Sequence, residues 1–283
     1  MIGVDVGGTK IRAGVVDAGG RVERTYETAT PTSTQEALVE ALVEAVEAVR
    51  DDAVAAVGFG VPARVDRLGV ARGAVNAPLH ELSFPGALGP RLGLPVAVAN
   101  DASAAALAEH RLGAGRGTRT MVLLTLGTGV GGGVVIDGEL FRGWSELGHM
   151  VIVAGGVPCP GACTGLGHVE SYCSGTAAGR IAKRVLGEAA DAHALVERRH
   201  PALEEIGRYL GAAIGSLVNV FDPEAVVVGG GFGLAAGALL FEAARPVVER
   251  EALGGAPGLR LALAELGADA GMVGAALLAL EAA

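Results

Sequence analysis

A glycine-rich strand–turn–strand unit occurs twice in this chain, 120 residues apart, and no other feature restricts the fold as much. Laid over each other, "DVGGTKIRAGVVDAGG" (5–20) and "TLGTGVGGGVVIDGEL" (125–140) match Gly7 with Gly127, Val15 with Val135 and Asp17 with Asp137. In each copy an apolar strand enters a glycine turn, a second strand leaves it, and an Asp-containing turn comes next. The shared order points to duplication, hence to two related halves. Glycines in such a turn let a ligand approach the backbone, and Thr9 and Lys10 add a hydroxyl and an amine beside Asp5. Phosphate is the ligand this chemistry suits.

Two commoner phosphate motifs are excluded by the residues after the glycines. The run from Gly127 to Gly132 satisfies G-x-G-x-x-G in form, but a dinucleotide fingerprint needs a helix directly afterwards. Here "GGGVVIDGEL" continues as strand and turn. A Walker loop is excluded too, because no lysine-serine or lysine-threonine pair closes a loop of the required length. There remains a pair of hairpins, each offering backbone N–H groups, an arrangement suited to a nucleotide clamped between two lobes.

The rest of the chain alternates strands and helices. Leu38, Leu42, Ala45, Val46 and Val49 are spaced for one helical face, which predicts a helix over 34–50. "AVAAVGFGVP" and "LPVAVAND" read as buried strands, and "ASAAALAEHRLGA" as the helix after the second. Farther on, "EEIGRYLGAAIGSLVNVF" reads as a helix, "EAVVVGGG" as a strand ending in a third glycine turn, and "AGMVGAALLALEAA" as a closing helix. The class is α/β, most simply two lobes divided near 111–119, where "RLGAGRGTR" is polar and glycine-rich.

Composition narrows the partners. A net charge of −9 argues against nucleic acid or an anionic membrane surface as the main partner. No stretch reads as long and apolar enough to span a bilayer, and no basic region leading into an apolar run opens the chain. A cytoplasmic setting is the expectation. In a reducing compartment Cys159, Cys163 and Cys173, within fifteen residues, indicate metal or buried thiols rather than disulfides.

Two stretches carry further chemistry. "VANDASAAA" puts Asn100 and Asp101 where a strand gives way to a helix, a place for an N-cap or for a general base at a strand end. "GWSELGHMVIVAGGVPCPGACTGLGHVESYCSG" (143–175) is denser. Glu146 and His149 share a face if the segment is helical, and Cys159, Cys163, His168 and Glu170 come after them. Two cysteines and two histidines suffice for tetrahedral structural zinc. The competing reading is a loop of buried thiols and solvent-facing imidazoles, and Cys173 reads as core.

Taken together these segments resemble the ROK family of sugar kinases and regulators, within the actin-like ATPase (ribonuclease H-like) fold. "DVGGTKIRAGVVD" and "LGTGVGGGVVIDGEL" resemble its two phosphate loops, and "NDASAAALAEH" its catalytic stretch. "ELGHM" with the cysteine cluster resembles the sugar-site and zinc segment, "PEAVVVGGG" the nucleoside-side turn, and "LGADAGMVGAALLA" the closing helix. The resemblance implies lobes at 1–113, joined by the helix at about 270–283, and at 114–269, with zinc in segment 149–168. Nucleotide and sugar would occupy the cleft between the lobes.

It also implies roles. Asp101 would take the proton from a hexose 6-hydroxyl, while Asn76, Asn100, Glu146, His149 and Glu170 hold the other hydroxyls. Asp5, Gly7, Gly8, Thr9, Gly127, Thr128 and Gly129 would surround the phosphates of ATP and Mg²⁺, with Gly229 and Gly230 at the nucleoside and Lys10 beside the first loop. His149, Cys159, Cys163 and His168 would hold zinc, and metal removal would touch sugar binding more than ATP binding. The implied activity is ATP-dependent phosphorylation of a hexose, glucose first, in a homodimer or higher homo-oligomer.

An N-acetylmannosamine kinase is the nearest rival. A sugar-responsive repressor would need a DNA-binding module ahead of Ile2. Two features depart from the family pattern. The cysteine run "CPGACTGLGHVE" has two more residues than C-x-C-G-x-x-G-C-x-E and places His168 at the third cysteine, and "GVPARVD" has Ala63 where glycine is usual.

Overall fold

The computed structural model describes residues 1–74, 77–160 and 163–282. The chain forms two compact units: unit 1 comprises Met1–Gly113, Leu140–Ser145 and the residues from Ala268 onward, and unit 2 comprises Ala114–Glu139 and Glu146–Gly267. Residues 140–145, which the sequence pattern keeps with the second lobe, therefore pack with the first unit.

Unit 1 contains β1 (Ile2–Val6), β2 (Lys10–Val16), β3 (Val22–Ala29), α1 (Gln35–Val49) and β4 (Val57–Val61). A small sheet of β5 (Ala63–Val65), β6 (Val70–Ala74) and β7 (Leu82–Ser83) comes next, then α2 (Phe84–Leu92), β8 (Val96–Asn100) and α3 (Asp101–Leu112). The main sheet has the order β3-β2-β1-β4-β8. β1 is antiparallel to β2 but parallel to β4, and β4 is parallel to β8. Ile2, Val4, Val6, Val57, Phe59 and Val61 are all buried, so these strands carry the near-continuous apolar runs of a sheet covered on both faces. Thr34 caps α1 by accepting from the Ala37 N–H, and the five apolar residues that predict this helix are all buried.

The closing helix, Ala270–Ala282, packs on β1 and β4 through backbone contact. A Cβ on Gly3 would lie 1.9 Å from the Met272 carbonyl oxygen, and one on Gly58 would lie 1.8 Å from that of Ala275. Glycine weakens a strand on its own account; here it is what lets a helix backbone sit directly on the sheet.

Unit 2 contains β9 (Met121–Leu126), β10 (Val130–Ile136), the first residue of β11 (Glu139–Leu140), a 3₁₀ turn (Leu147–His149), α4 (Glu170–Cys173), α5 (Gly175–Leu186) and α6 (Ala192–Glu197). Next come α7 (Ala202–Phe221), β12 (Ala225–Gly229), α8 (Gly231–Glu251) and β13 (Arg260–Leu263). Its sheet has the order β11-β10-β9-β12-β13. β9 is antiparallel to β10 and parallel to β12, the same plan as β1 with β2 and β4. β10 begins and ends 120 residues after β2, which is the sequence repeat expressed as structure.

One sequence expectation changes. The helix Gly231–Glu251 is long and apolar enough to cross a membrane by length and composition. Its Phe232, Ala236, Leu240, Phe241 and Val248 are buried in the core of unit 2, and Gly207 and Gly211 bring α7 against it. A buried core helix accounts for that composition.

The glycine seats predict stability effects of opposite sign. Gly58→Ala drives a methyl group into a carbonyl oxygen that no rotamer can move, and overpacking of this kind costs about 1–3 kcal/mol. Gly179, in the middle of α5, has open space where its Cβ would lie. Gly179→Ala should therefore gain about 0.5–1 kcal/mol from helix propensity. Urea denaturation should show the midpoint falling for the first variant and rising for the second.

Candidate active site

In unit 1 the first glycine turn is closed by the Gly7 N–H donating to the Lys10 carbonyl at 2.9 Å. Thr30, at the end of β3, buttresses it: its hydroxyl donates to the Gly7 carbonyl at 2.7 Å and its N–H to that of Thr9 at 3.0 Å. Asp5 stands at the end of β1. Burial pushes its carboxyl above the ordinary carboxylate range, while the Arg12 guanidinium pulls it back. A Cβ on Gly271 would come within 3.0 Å of the Asp5 carboxylate, so the start of the closing helix leaves space where that carboxylate lies. Arg12 is held by Asp269 at 2.7 Å. Lys10 pairs with Glu27 at 3.0 Å on the exposed face of the sheet, and serving a phosphate would mean leaving a surface pair worth little.

At the junction of β8 and α3 both Asn100 and Asp101 accept from the first N–H groups of the helix. Asn100 is the cap: its Oδ1 accepts from the N–H groups of Ala102 at 3.0 Å and Ser103 at 3.2 Å. Its Nδ2 donates to the Ala63 carbonyl at 3.4 Å, which ties the cap to the "GVPARVD" turn. Asp101 opens the helix, and its Oδ1 accepts from the Ala102 N–H at 2.8 Å. Asn76 lies outside the described residues.

In unit 2 the corresponding turn is closed by the Gly127 N–H donating to the Gly129 carbonyl at 2.9 Å. Two bonds from the start of α5 hold it: Gly175 N–H to the Gly127 carbonyl and the Thr176 hydroxyl to the Thr128 carbonyl, both 2.7 Å. A cavity of about 570 Å³ opens beside it, lined by Gly127, Thr128, Thr176, His193, Phe232 and Ala235 among others. That volume lies within the range of small-molecule sites. Gly229 ends β12. Gly230 has φ 79°, its Cβ would lie 2.5 Å from the Leu126 carbonyl, and α8 starts directly after it with no side-chain cap. An uncapped helix start offers backbone N–H groups to an anion. Sequence reasoning missed Gly175 and Thr176; the available signal was "CSGT", a run of small residues directly before a helix.

The densest side-chain cluster of unit 2 is His149, Cys159, Cys163 and His168, whose ligand atoms all lie within 4.8 Å of one another. The two Nδ1 atoms are 3.2 Å apart, and each sulfur lies 3.7 Å from one of them, Cys159 from His149 and Cys163 from His168. A zinc tetrahedron with ordinary bond lengths has edges of about 3.4 Å between nitrogens and about 3.6 Å between nitrogen and sulfur. The four residues fit that ion. Short bridges, Val151 with His168 and Pro158 with Leu166, bring the ligands together, and Gly167, at φ 74°, makes the tight passage between them. Burial, with Cys163 and Glu170 alongside, pushes the Cys159 thiol up to about 12, an environment in which a bound cation would stabilise the thiolate. Cys173 is fully buried beside the Ile206 carbonyl, as expected of a core residue.

Glu146 and His149 are related not by an α-helix but by the 3₁₀ turn, with the His149 N–H donating to the Glu146 carbonyl at 3.0 Å. Both are exposed. Glu170, at the start of α4, spans two features: its Oε2 accepts from the Val130 N–H at 2.8 Å, and its Oε1 lies 3.8 Å from the Cys159 sulfur.

The ROK family model matches residues 1–282. The glucokinase of Streptomyces coelicolor is 38% identical over 99% of this chain and 97% of its own length. The ROK glucokinase of Streptomyces griseus, solved with glucose and AMPPNP, superposes with a TM-score of 0.81 at 37% identity, covering 99% of both chains. The ROK hexokinase of Thermus thermophilus superposes at 0.84 with 38% identity, covering 99% of this chain and 98% of the other.

Asp5 yields a prediction with a definite sign. Its folded-state pKa is raised, so the folded protein prefers it protonated. The resulting stability is present at acidic pH and is lost as pH rises through the raised value. At neutral pH the ionised carboxylate is therefore a cost. Asp5→Asn should raise the melting temperature at pH 7, and the gain should shrink as pH falls to the ordinary carboxylate range. Melting curves from pH 4 to 8 measure this; a variant less stable than the parent at pH 7 would contradict it.

Proposed function

The chain belongs to the ROK family, and we propose that within it this protein transfers the γ-phosphoryl group of ATP to the 6-hydroxyl of glucose. The observation that carries the reading is full-length similarity to a kinase solved with both glucose and an ATP analogue. The glycine turns and the strand-end acid then have specific tasks. Asp101 accepts the 6-hydroxyl proton, and Asn100, occupied in capping α3, holds the helix start that presents it. Gly127, Thr128 and Gly129 offer backbone to the phosphates, and the adjoining cavity takes the nucleoside. Glu146 and His149, exposed at the 3₁₀ turn, and Glu170 bind the remaining hydroxyls. Catalysis rests on positioning and on neutralising the charge of a phosphoryl group in flight.

Two metals belong to this reading. Asp5 would hold Mg²⁺, which neutralises phosphate charge. His149, Cys159, Cys163 and His168 would hold zinc in a closed four-ligand set with no position for a catalytic water, so that ion is structural. Because His149 turns Nδ1 into the cluster, its Nε2 is left for the sugar. A cytoplasmic homodimer completes the proposal.

The panel experiment is direct: hexoses and hexosamines are incubated with ATP and Mg²⁺, and release of ADP and sugar phosphate is monitored. Glucose should be the preferred acceptor; a panel with no turnover would sink the reading. Asp101→Asn should lower turnover by roughly 10²–10⁴-fold, the usual contribution of a general base, with glucose affinity retained. Metal analysis should find about one zinc per chain, as expected of a closed Cys₂His₂ site, and none in Cys163→Ser.

A further inference from the structure

We propose that Glu170 is a positioning residue that couples occupancy of the metal cluster to the nucleotide-binding turn of unit 2. The inference rests on the kinase and zinc reading above and adds a second duty to a residue otherwise assigned to the sugar. On sequence grounds ATP binding should change less than sugar binding when the metal is removed, because the glycine turn and the cysteine loop are separate stretches. The hydrogen bonds point the other way.

One carboxylate touches both features. Glu170 Oε1 lies 3.8 Å from the sulfur of Cys159, one of the four ligands, and Oε2 accepts the N–H of Val130, the first residue after the turn, at 2.8 Å. The fit is close: a Cβ on Gly129 would fall 2.2 Å from Oε2. Gly129 therefore does more than let phosphate approach; it leaves room for this carboxylate against the turn. From the other side, α5 fixes the same turn through Gly175 and Thr176, and the Ser174 N–H that precedes it donates to the Glu170 carbonyl at 3.3 Å. Turn, carboxylate and cysteine thus form one chain of contacts within a single unit.

Metal occupancy must alter the end of that chain. Cys159 Sγ lies against Glu170 Oε1 and is also one of the four groups that would ligate the ion. The sulfur is then fixed by the ion rather than by the carboxylate. Two thiolates and two neutral imidazoles leave the loaded cluster with no net charge, so Glu170 is not expelled by like charge. Without the ion, the loop carrying Cys159 is held by two short bridges and a few loop hydrogen bonds, and Glu170 has a less rigid neighbour on that side.

Coupling between two binding sites is reciprocal, which gives the test two independent readouts. Zinc-loaded and chelator-stripped protein are titrated with ADP and Mg²⁺ in a calorimeter, without sugar. Separately, the equilibrium partition of zinc between the protein and a chromophoric chelator is measured with and without ADP. Stripping zinc should weaken ADP binding by about fivefold, the low end of ordinary coupling, and ADP should strengthen zinc retention by the same factor. In Glu170→Ala, ADP affinity should be reduced and no longer respond to zinc. Glu170→Gln keeps an acceptor for the Val130 N–H and should retain the parent's ADP affinity and its response to zinc, whatever it does to sugar binding. Gly129→Ala, which forces the carboxylate aside, should also abolish the zinc response, whatever it does to ADP affinity itself.

Unchanged ADP affinity on stripping, with zinc shown to have been present, overturns the coupling and leaves the zinc reading intact. A zinc response that persists in Glu170→Ala assigns the route to α5 and overturns the role of Glu170. Absence of zinc from the purified protein removes the metal reading and the coupling with it. Failure of the loaded protein to bind ADP removes the kinase reading instead.

Discussion

The parallel ladder of β1, β4 and β8 fixes where chemistry can occur in unit 1. Its register pairs Asp5 with Gly60 and Val61 with Asn100, so the Asp5 carboxylate and the capped start of α3 stand at the same end of one sheet. A one-residue slip in any of these strands would turn Asp5 or Asn100 to the opposite face. Register is in turn held by burial on both faces and by the closing helix, which contacts the sheet backbone at Gly3 and Gly58. The glycines that look like flexibility in the sequence are here devices for rigidity. They remove the Cβ that would keep helix and sheet apart.

Unit 2 places its turn by the same strand plan but secures it differently. In unit 1 a neighbouring strand, through Thr30, braces the first turn. In unit 2 the second turn is braced by residues just after the metal segment: Glu170, Gly175 and Thr176. Between the 3₁₀ turn and α4 the described backbone is held by two isolated bridges and a few loop hydrogen bonds. Such a stretch has little secondary structure of its own, so a bound ion would contribute directly to its folding. An ion held there would let four side chains do for this turn what a sheet edge does in the other half.

How much of this the sequence disclosed depended on the range of the interaction. The helix over 34–50 was legible because one apolar stripe determines it, and the duplicated hairpins were legible because their spacing is constant. The four residues His149, Cys159, Cys163 and His168 were legible as types, although only the structure shows their side chains converging. Three features were not. The return of residues 140–145 to unit 1 depends on packing far along the chain. The capping of α3 by Asn100, with Asp101 as its first residue, depends on where the first turn of α3 begins, within the usual uncertainty of a helix boundary. The contact of Glu170 with Val130 joins residues 40 positions apart that no local pattern links. In the opposite direction, the apolar composition of α8 meets the criterion for a membrane span and reflects a buried face instead.

The two halves share an energetic device. Asp5 is held in a setting that disfavours its charged form, and Cys159 is held in one that resists becoming a thiolate. Each is the kind of group a cation stabilises, and each stands beside a glycine turn or a residue that braces one. A protein that keeps such groups accepts lower stability in their absence and regains it by mass action when the ligand arrives. Ligand binding and local order are then the same process at both sites. The placement of these acids therefore depends on the glycines as well: Gly271 leaves room for Asp5 and Gly129 leaves room for Glu170, and a methyl group at either would move a carboxylate without changing any charged residue.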